Sequence, residues 1–193
     1  MANKRKGNLF IISGPSGAGK GTLVARLMRS VPDAWLSISA TTRKPRKGEK
    51  EGVHYYFLEE PEFKSLIEQD GFLEWACVHE HYYGTLRSAV EEHMQDGFQV
   101  ILEIDVQGAL QVRKKIPQAH LIFIEPPSIE ELERRLRGRA TEPEDVILKR
   151  MNVAQLELLH KMEYDIQLVN DDLNVATKEL ISIVNSFAES KKE

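Results

Sequence analysis

The chain has a single cysteine, Cys77, in 193 residues. One thiol can neither close an intrachain disulfide nor build a cysteine-rich zinc site. No apolar run approaches the roughly 20 residues that span a bilayer. The opening Met-Ala-Asn-Lys-Arg-Lys stretch lacks the apolar centre of a signal peptide. Positive charge is not in excess either. The formal net charge is −4, which argues against general affinity for nucleic acid. Repeats and low-complexity tracts are missing too. These absences point to a reducing, cytoplasmic setting with neither a membrane nor a nucleic-acid partner. The 41% hydrophobic content suits an ordinary soluble core. The length suits one domain with small inserted subdomains.

What is present is a cradle for phosphates. Leu9, Phe10, Ile11 and Ile12 form an apolar run, as a parallel strand buried on both faces should. Then come Gly14, Pro15, Ser16, Gly17, Ala18, Gly19 and Lys20, followed by Gly21, Thr22 and a helical pattern through Leu23, Val24, Leu27 and Met28. The glycines let backbone N–H groups turn inward. Lys20 adds a full positive charge, and the helix starting near Gly19 aims its positive dipole end at the same spot. The spacing of Gly14, Gly19 and Lys20 is that of a P-loop. Three fixed residues would match by chance about 0.06 times in such a chain. One departure is visible. The pattern wants Ser or Thr directly after the lysine to hold Mg²⁺, and here Gly21 precedes Thr22.

Further apolar strands are expected at 99–105 and 120–125, with a shorter one at 166–169. Helical patterns separate them, so the fold class is α/β, a parallel sheet flanked by helices. Residues 36–83 change texture and are rich in Tyr, Thr, Glu and Arg, with short strands expected at 55–58 and 72–78. This reads as an inserted lobe. After Glu125, Pro126 and Pro127 stop the strand, and Ser128 with Glu131 forms a capping box. That helix carries Arg134, Arg135 and Arg137 and breaks at Gly138. A polar turn over 139–144 leads into a long helical pattern to about Lys161. Helix, turn and helix with arginines near the turn read as a lid.

Four constellations carry chemistry. Arg43 and Arg46, braced by Pro45, can converge on one phosphate, since the arginine fork grips phosphate bidentately. A second phosphate clamp implies a second phosphorylated substrate. Glu74 sits in an apolar, aromatic run and needs a partner if buried. Guanine offers one, because its adjacent N1–H and N2–H₂ donors match two carboxylate oxygens. An outward-facing Glu on a half-exposed strand is the alternative. Glu103 and Asp105 end an apolar strand, two apart and therefore on one face, as an element orienting Mg²⁺ would be. An acid capping the next helix is the other reading. Arg135, Arg139 and Arg150 suit a lid that neutralises a moving phosphoryl group, whereas Arg134 and Arg137 read as a solvated helix face. His54, His79 and His81 show no metal logic and read as surface residues.

Taken together, the stretches from Gly14 to Lys20, Ser39 to Glu49, Phe72 to Trp75, Tyr82 to Gly84, Leu102 to Gly108, Glu125 to Ser128, Arg135 to Arg139 and Val169 to Asp171 resemble the guanylate kinase family, within the nucleoside monophosphate kinase group. They run in family order over nearly the whole chain. The resemblance implies ATP-dependent phosphorylation of GMP to GDP with release of ADP. It implies a single domain with a core at 1–35, 96–125 and 162–193, a GMP-binding lobe at 36–95 and a lid at 126–161. By position, the loop from Gly14 to Thr22 would hold ATP phosphates through Lys20 and its amides, with Asn170 near the adenine. Arg43, Arg46, Tyr55 and Tyr83 would hold the GMP phosphate. Ser39, Glu74 and Thr85 would read guanine, the Thr85 hydroxyl donating to O6. Asp105 would lie near the guanine and the waters of Mg²⁺, while Arg135, Arg139 and Arg150 would bracket the moving phosphoryl. Assembly as a homo-oligomer is left open. Two rivals are an adenylate-type kinase and a non-catalytic scaffold relative. Adenine N1 is an acceptor that would face Glu74's own lone pairs. Scaffold relatives usually lose the loop lysine or the lid arginines, and both stand in this chain.

Overall fold

A computed structural model describes residues 5–138 and 143–189. In chain order the elements are β1 (Asn8–Ser13), α1 (Lys20–Ser30), β2 (Ala34–Leu36), β3 (Ala40–Thr41), β4 (Tyr56–Phe57), α2 (Glu60–Glu68), β5 (Phe72–Val78), β6 (His81–Leu86), α3 (Arg87–Gln95), β7 (Gln99–Glu103), α4 (Val106–Lys115), β8 (His120–Glu125), α5 (Ile129–Arg137), α6 (Glu144–Leu159), a 3₁₀ turn (Lys161–Glu163), β9 (Ile166–Val169) and α7 (Leu173–Glu189).

The expected α/β fold is present. Five parallel strands run in the order β2-β7-β1-β8-β9. With β1 at the centre, its side chains alternate between two buried layers. Leu9 and Ile11 pack with Val100, Leu102, Leu121 and Phe123 on one face. Phe10 and Ile12 pack against α1 and α7, through Leu23, Leu27, Leu180 and Val184, on the other. Both faces being covered explains why β1 reads as a continuous apolar run rather than an alternating one. All strands end toward one edge, and that edge is where an open α/β sheet binds ligands.

A second, four-stranded sheet runs β4-β3-β6-β5. Its own small core stacks Phe63 on Phe72, ring centroids 4.2 Å apart, and on Tyr82. Val90 of α3 instead lies in the core of the central sheet, although α3 falls within the 36–95 lobe expected from sequence. α5 and α6 pair through Leu132, Leu136, Ile147, Met151 and Ala154.

Two local expectations are corrected. The strand expected over 99–105 ends at Glu103, because Asp105 turns out of it to cap α4, its side chain accepting from Gly108 N at 2.8 Å. The capping box at Ser128 is half made. Ser128 Oγ accepts from Glu131 N at 3.1 Å, but the Glu131 carboxylate takes Arg134 and Arg135 instead of returning to the cap.

Candidate active site

The turn after β1 has positive φ at Gly14, Gly17 and Gly19, and α1 begins at Lys20. At Gly19 glycine is required twice over. Its φ is +92°, and a Cβ there would lie 2.4 Å from Asn170 Nδ2. Asn170 is buried and donates from that amide to Ala18 O at 2.8 Å. Its backbone N–H goes to Glu125 O. Asn170 is therefore a strut under the loop, one N–H of its amide holding Ala18. Lys20 Nζ donates to Gly14 O at 2.5 Å and Pro15 O at 3.2 Å. Burial lowers its pKa, opposed by the charges of Glu157, Glu103 and Asp105. A cavity of about 380 Å³ opens here, bordered by Ser16, Lys20, Gly21, Thr22 and Glu103 among others.

Glu103 and Asp105 do not share a strand face, since only Glu103 is in the strand. Both still reach the lysine's field. A Cβ on Gly21 would lie 3.5 Å from Glu103 Oε1, so the loop packs close to that carboxylate. Burial pushes the Glu103 carboxyl up, and Lys20 pulls it down. No group of three or more His, Cys, Asp or Glu is arranged to hold a metal among the described residues. The Thr22 hydroxyl and the Glu103 carboxylate are hard oxygen donors beside one phosphate-sized cavity. They fit a Mg²⁺ ion that takes most of its ligands from phosphates and water.

On the second sheet, Glu74 of β5 and Thr85 of β6 are cross-strand partners. Thr85 Oγ1 donates to Glu74 Oε1 at 2.6 Å, and both side chains are buried. Burial pushes the Glu74 carboxyl above its ordinary range. The Thr85 hydrogen bond opposes this and the charge of Asp105 adds to it. A hydroxyl has one proton to donate. In this structure Thr85 donates it to Glu74, whereas the family resemblance has it donating to guanine O6. α4 closes over the pair. A Cβ on Gly108 would lie 3.2 Å from Glu74 Oε2. Gln111, which sequence reasoning missed, accepts from Trp75 N and donates to Trp75 O, each at 3.2 Å. It fixes the backbone beside Glu74. Asp105 stands between the two halves of the site, within the electrostatic reach of both Lys20 and Glu74.

The expected arginine clamp is held by Glu49. Arg43 Nη2 donates to Glu49 Oε1 at 2.8 Å, and the Arg46 backbone N–H donates to Glu49 Oε2 at 2.7 Å. These bonds hold the Glu49 carboxyl down at about 2. The Arg43 guanidinium carbon lies 5.4 Å from the centre of the Tyr55 ring. Tyr83 packs edge-on against Tyr55 and lies within the electrostatic reach of Arg43. Arg43, Tyr55 and Tyr83 are thus brought together, while Arg46 is exposed. Ser39 precedes β3, and its carbonyl accepts from Tyr56 N.

From the paired helices, Arg135 donates to Glu131 and to Asn170 O, the latter at 3.0 Å. Arg150 Nη2 donates to Ser16 Oγ at 2.6 Å. Arg139 lies outside the described residues. Arg137 spans Glu133 and Glu144, and the exposed Arg134 pairs with Glu131, as a solvated helix face should. Glu157 of α6, also missed in the sequence, lies within the electrostatic reach of Lys20. Its spacing of seven from Arg150 was the available signal, for it puts both on one helix face.

Comparison with known proteins places this geometry among relatives. The family profile described as guanylate kinase matches residues 6–187. A guanylate kinase from Haemophilus influenzae is 53% identical over 184 residues, covering 94% of this chain and 88% of that one. One from Desulfitobacterium hafniense is 52% identical over 178 residues, covering 92% and 89%. Among solved structures, guanylate kinase from Anaplasma phagocytophilum superposes with a TM-score of 0.74 at 31% identity, covering 97% of this chain and 89% of its own.

Proposed function

The chain belongs to the guanylate kinase family and catalyses ATP-dependent phosphorylation of GMP to GDP, and on that premise we propose how its residues share the work. The amides of the loop from Gly14 to Thr22 and the Lys20 ammonium hold the ATP phosphates, where donors and a cation already converge. Asn170 serves ATP indirectly, by carrying the loop at Ala18. Thr22 and Glu103, or Asp105 through water, would hold a Mg²⁺ ion brought with the ATP phosphates, which would supply charge neutralisation.

Arg43, Arg46, Tyr55 and Tyr83 hold the GMP phosphate. Arg43 is the centre of that clamp, kept in place by Glu49 and Tyr55. Ser39, Glu74 and Asp105 read guanine, with Thr85 orienting Glu74. A GMP phosphate oxygen attacks the γ-phosphorus, the bond to the β-bridging oxygen breaks, and ADP leaves. Such transfers depend on positioning and charge neutralisation. Lys20 and the lid arginines Arg135, Arg139 and Arg150 supply the positive charge.

The observation that carries the choice of base is the buried Thr85–Glu74 hydrogen bond. A desolvated carboxylate with one oxygen fixed presents acceptors to paired N–H donors. Guanine has these on its Watson–Crick edge and adenine does not. Cytoplasmic placement is part of the proposal and suits the free, exposed Cys77. Among the described residues no helix is long and apolar enough to cross a membrane. The test is a coupled assay of ADP release with GMP, AMP, UMP and CMP. GMP is expected to dominate, and equal turnover of AMP contradicts the reading.

A further inference from the structure

Gly108, Gln111 and Lys115 follow one another at three and four residues, on one face of α4, and that face lies along β5. β5 is an edge strand of the second sheet, so one row of its backbone groups has no strand to bond. Side chains of α4 bond to it instead. The Gln111 amide accepts from Trp75 N and donates to Trp75 O, each at 3.2 Å, as the backbone of a neighbouring strand would. Lys115 Nζ donates to Phe72 O at 2.6 Å and to Asp70 Oδ1 at 2.6 Å. Arg87 Nη2 donates to the other Asp70 oxygen, also at 2.6 Å.

Between these two anchors the strand is irregular. Phe72 faces Leu86 and Glu74 faces Thr85, so two steps along β5 match one along β6, and Leu73 is the extra residue of a β-bulge. Phe72 and Trp75 pack in the aromatic core of the second sheet. Leu73 is buried instead in the core of the central sheet, in a cluster that includes Val106 and Ala109 of α4. Glu74 Oε2 lies beside Gly108 of the same helix. Leu73 and Glu74, though adjacent, thus both turn away from the aromatic core. In a regular strand Phe72 and Glu74 would share a face, and the carboxylate would enter that core. We propose that Gln111 and Lys115 are positioning residues for base choice, bracketing the bulge so that Glu74 stays turned out of the aromatic core and toward the base. The inference rests on the reading that Glu74 selects guanine. It adds that the selecting carboxylate is aimed by α4, the helix that Asp105 caps.

The test is Gln111→Met, which keeps length and bulk, removes both hydrogen bonds to Trp75 and changes no charge. In a coupled assay kcat/KM for GMP is expected to fall about tenfold, the scale of one hydrogen bond's net contribution, with the loss mainly in the GMP KM. AMP should lose far less, so the GMP-to-AMP preference falls. A side chain that merely braces the fold would lower the melting temperature and leave that preference where it was. Lys115→Met should act in the same direction, and carries the test if the Gln111 variant does not fold. Lys115→Arg, which keeps a cationic donor, should restore most of the preference. An unchanged preference in either folded methionine variant overturns the proposal. The route through Glu74 is checked in the Glu74→Gln background, where Gln111→Met should change the preference no further. A second full fall there shows that Gln111 acts elsewhere, and also overturns it. If Glu74→Gln alone keeps the parent's preference, the guanine reading is wrong. If it loses the preference while Gln111→Met keeps it, only the bracket from α4 is wrong.

Discussion

Thr85 Oγ1 and Glu74 Oε1 lie 2.6 Å apart on adjacent strands, and both side chains are buried. The hydroxyl can donate only once, so its proton belongs to the carboxylate. This bond fixes the rotation of Glu74 and leaves Oε2 beside Gly108. On the proposed reading of Glu74, the face offered to guanine depends on a residue that need not touch guanine.

Thr85→Val keeps the shape of the side chain and removes the donor. A hydrogen bond to a charged group contributes about 1.5–3 kcal/mol, so kcat/KM for GMP should fall by roughly 10- to 150-fold. Thr85→Ser should restore most of it. Steady-state kinetics of the two variants check this, and a valine variant as active as the parent would show that Glu74 is oriented by its strand alone.

Acid should weaken GMP use earlier than an ordinary glutamate would allow. Burial raises the Glu74 pKa above 4.5, so Glu74 takes up a proton as pH falls through that raised value. The protonated acid carries a donor where guanine also presents donors, and kcat/KM for GMP drops. Stability moves the other way. A raised folded pKa contributes stability that is fully present below 4.5 and is lost as pH rises through the folded value. A pH profile of kcat/KM, compared with that of Glu74→Gln, checks the assignment. The acidic limb should vanish in the variant.

Arg43→Ala should raise the GMP KM much more than it lowers kcat, because it removes a contact made in the ground state. The ATP KM should move little. Freed of Arg43, Glu49 becomes an unneutralised carboxylate beside the GMP phosphate position and worsens binding further. Arg43→Ala combined with Glu49→Gln should recover part of the loss. An unchanged GMP KM in the single variant removes Arg43 from the clamp.

Asn170→Ala leaves the Ala18 carbonyl without its partner and opens space beneath Gly19. The cost should be about 1–3 kcal/mol of stability, the usual price of an unmade buried hydrogen bond. Binding of ATP analogues should weaken while GMP binding holds. Urea titration and calorimetry measure the two effects, and a GMP defect as large as the ATP defect would contradict the strut.

Features carried by local sequence were legible. The phosphate loop announces itself in seven consecutive residues, and the buried strands do so by unbroken apolar runs. Arg43 stands out by its spacing from Arg46 across Pro45, and Glu74 because a carboxylate in an apolar, aromatic run needs a partner. What stayed hidden depends on distant segments meeting. Glu157 looks like any acid on an amphipathic helix until α6 lands on Ser16. Gln111 is an ordinary helical glutamine until its amide bonds both backbone groups of Trp75. For Asn170 the bond to Ala18 stayed hidden, because nothing near it in sequence shows that Ala18 lies against its amide. Asp105 was placed on a strand face because the apolar run gives no sign that the strand stops at Glu103. Glu131 had two partners on offer, the cap and the arginines of its own helix, and sequence could not rank them.

The account's central claim is that the Glu74 carboxylate selects guanine, and Glu74→Gln tests it most directly. The amide keeps the shape, removes the charge and turns one acceptor into a donor, so that an N–H faces an N–H. Losing a charge-assisted hydrogen bond and stranding its partner costs on the order of 2–4 kcal/mol, or about 30- to 1000-fold in kcat/KM for GMP. AMP gained nothing from the carboxylate and should lose far less. Measured side by side in one coupled assay, the GMP-to-AMP preference should collapse in the variant. A variant that keeps the parent's preference would contradict the claim and leave guanine to be read by Ser39 and Asp105.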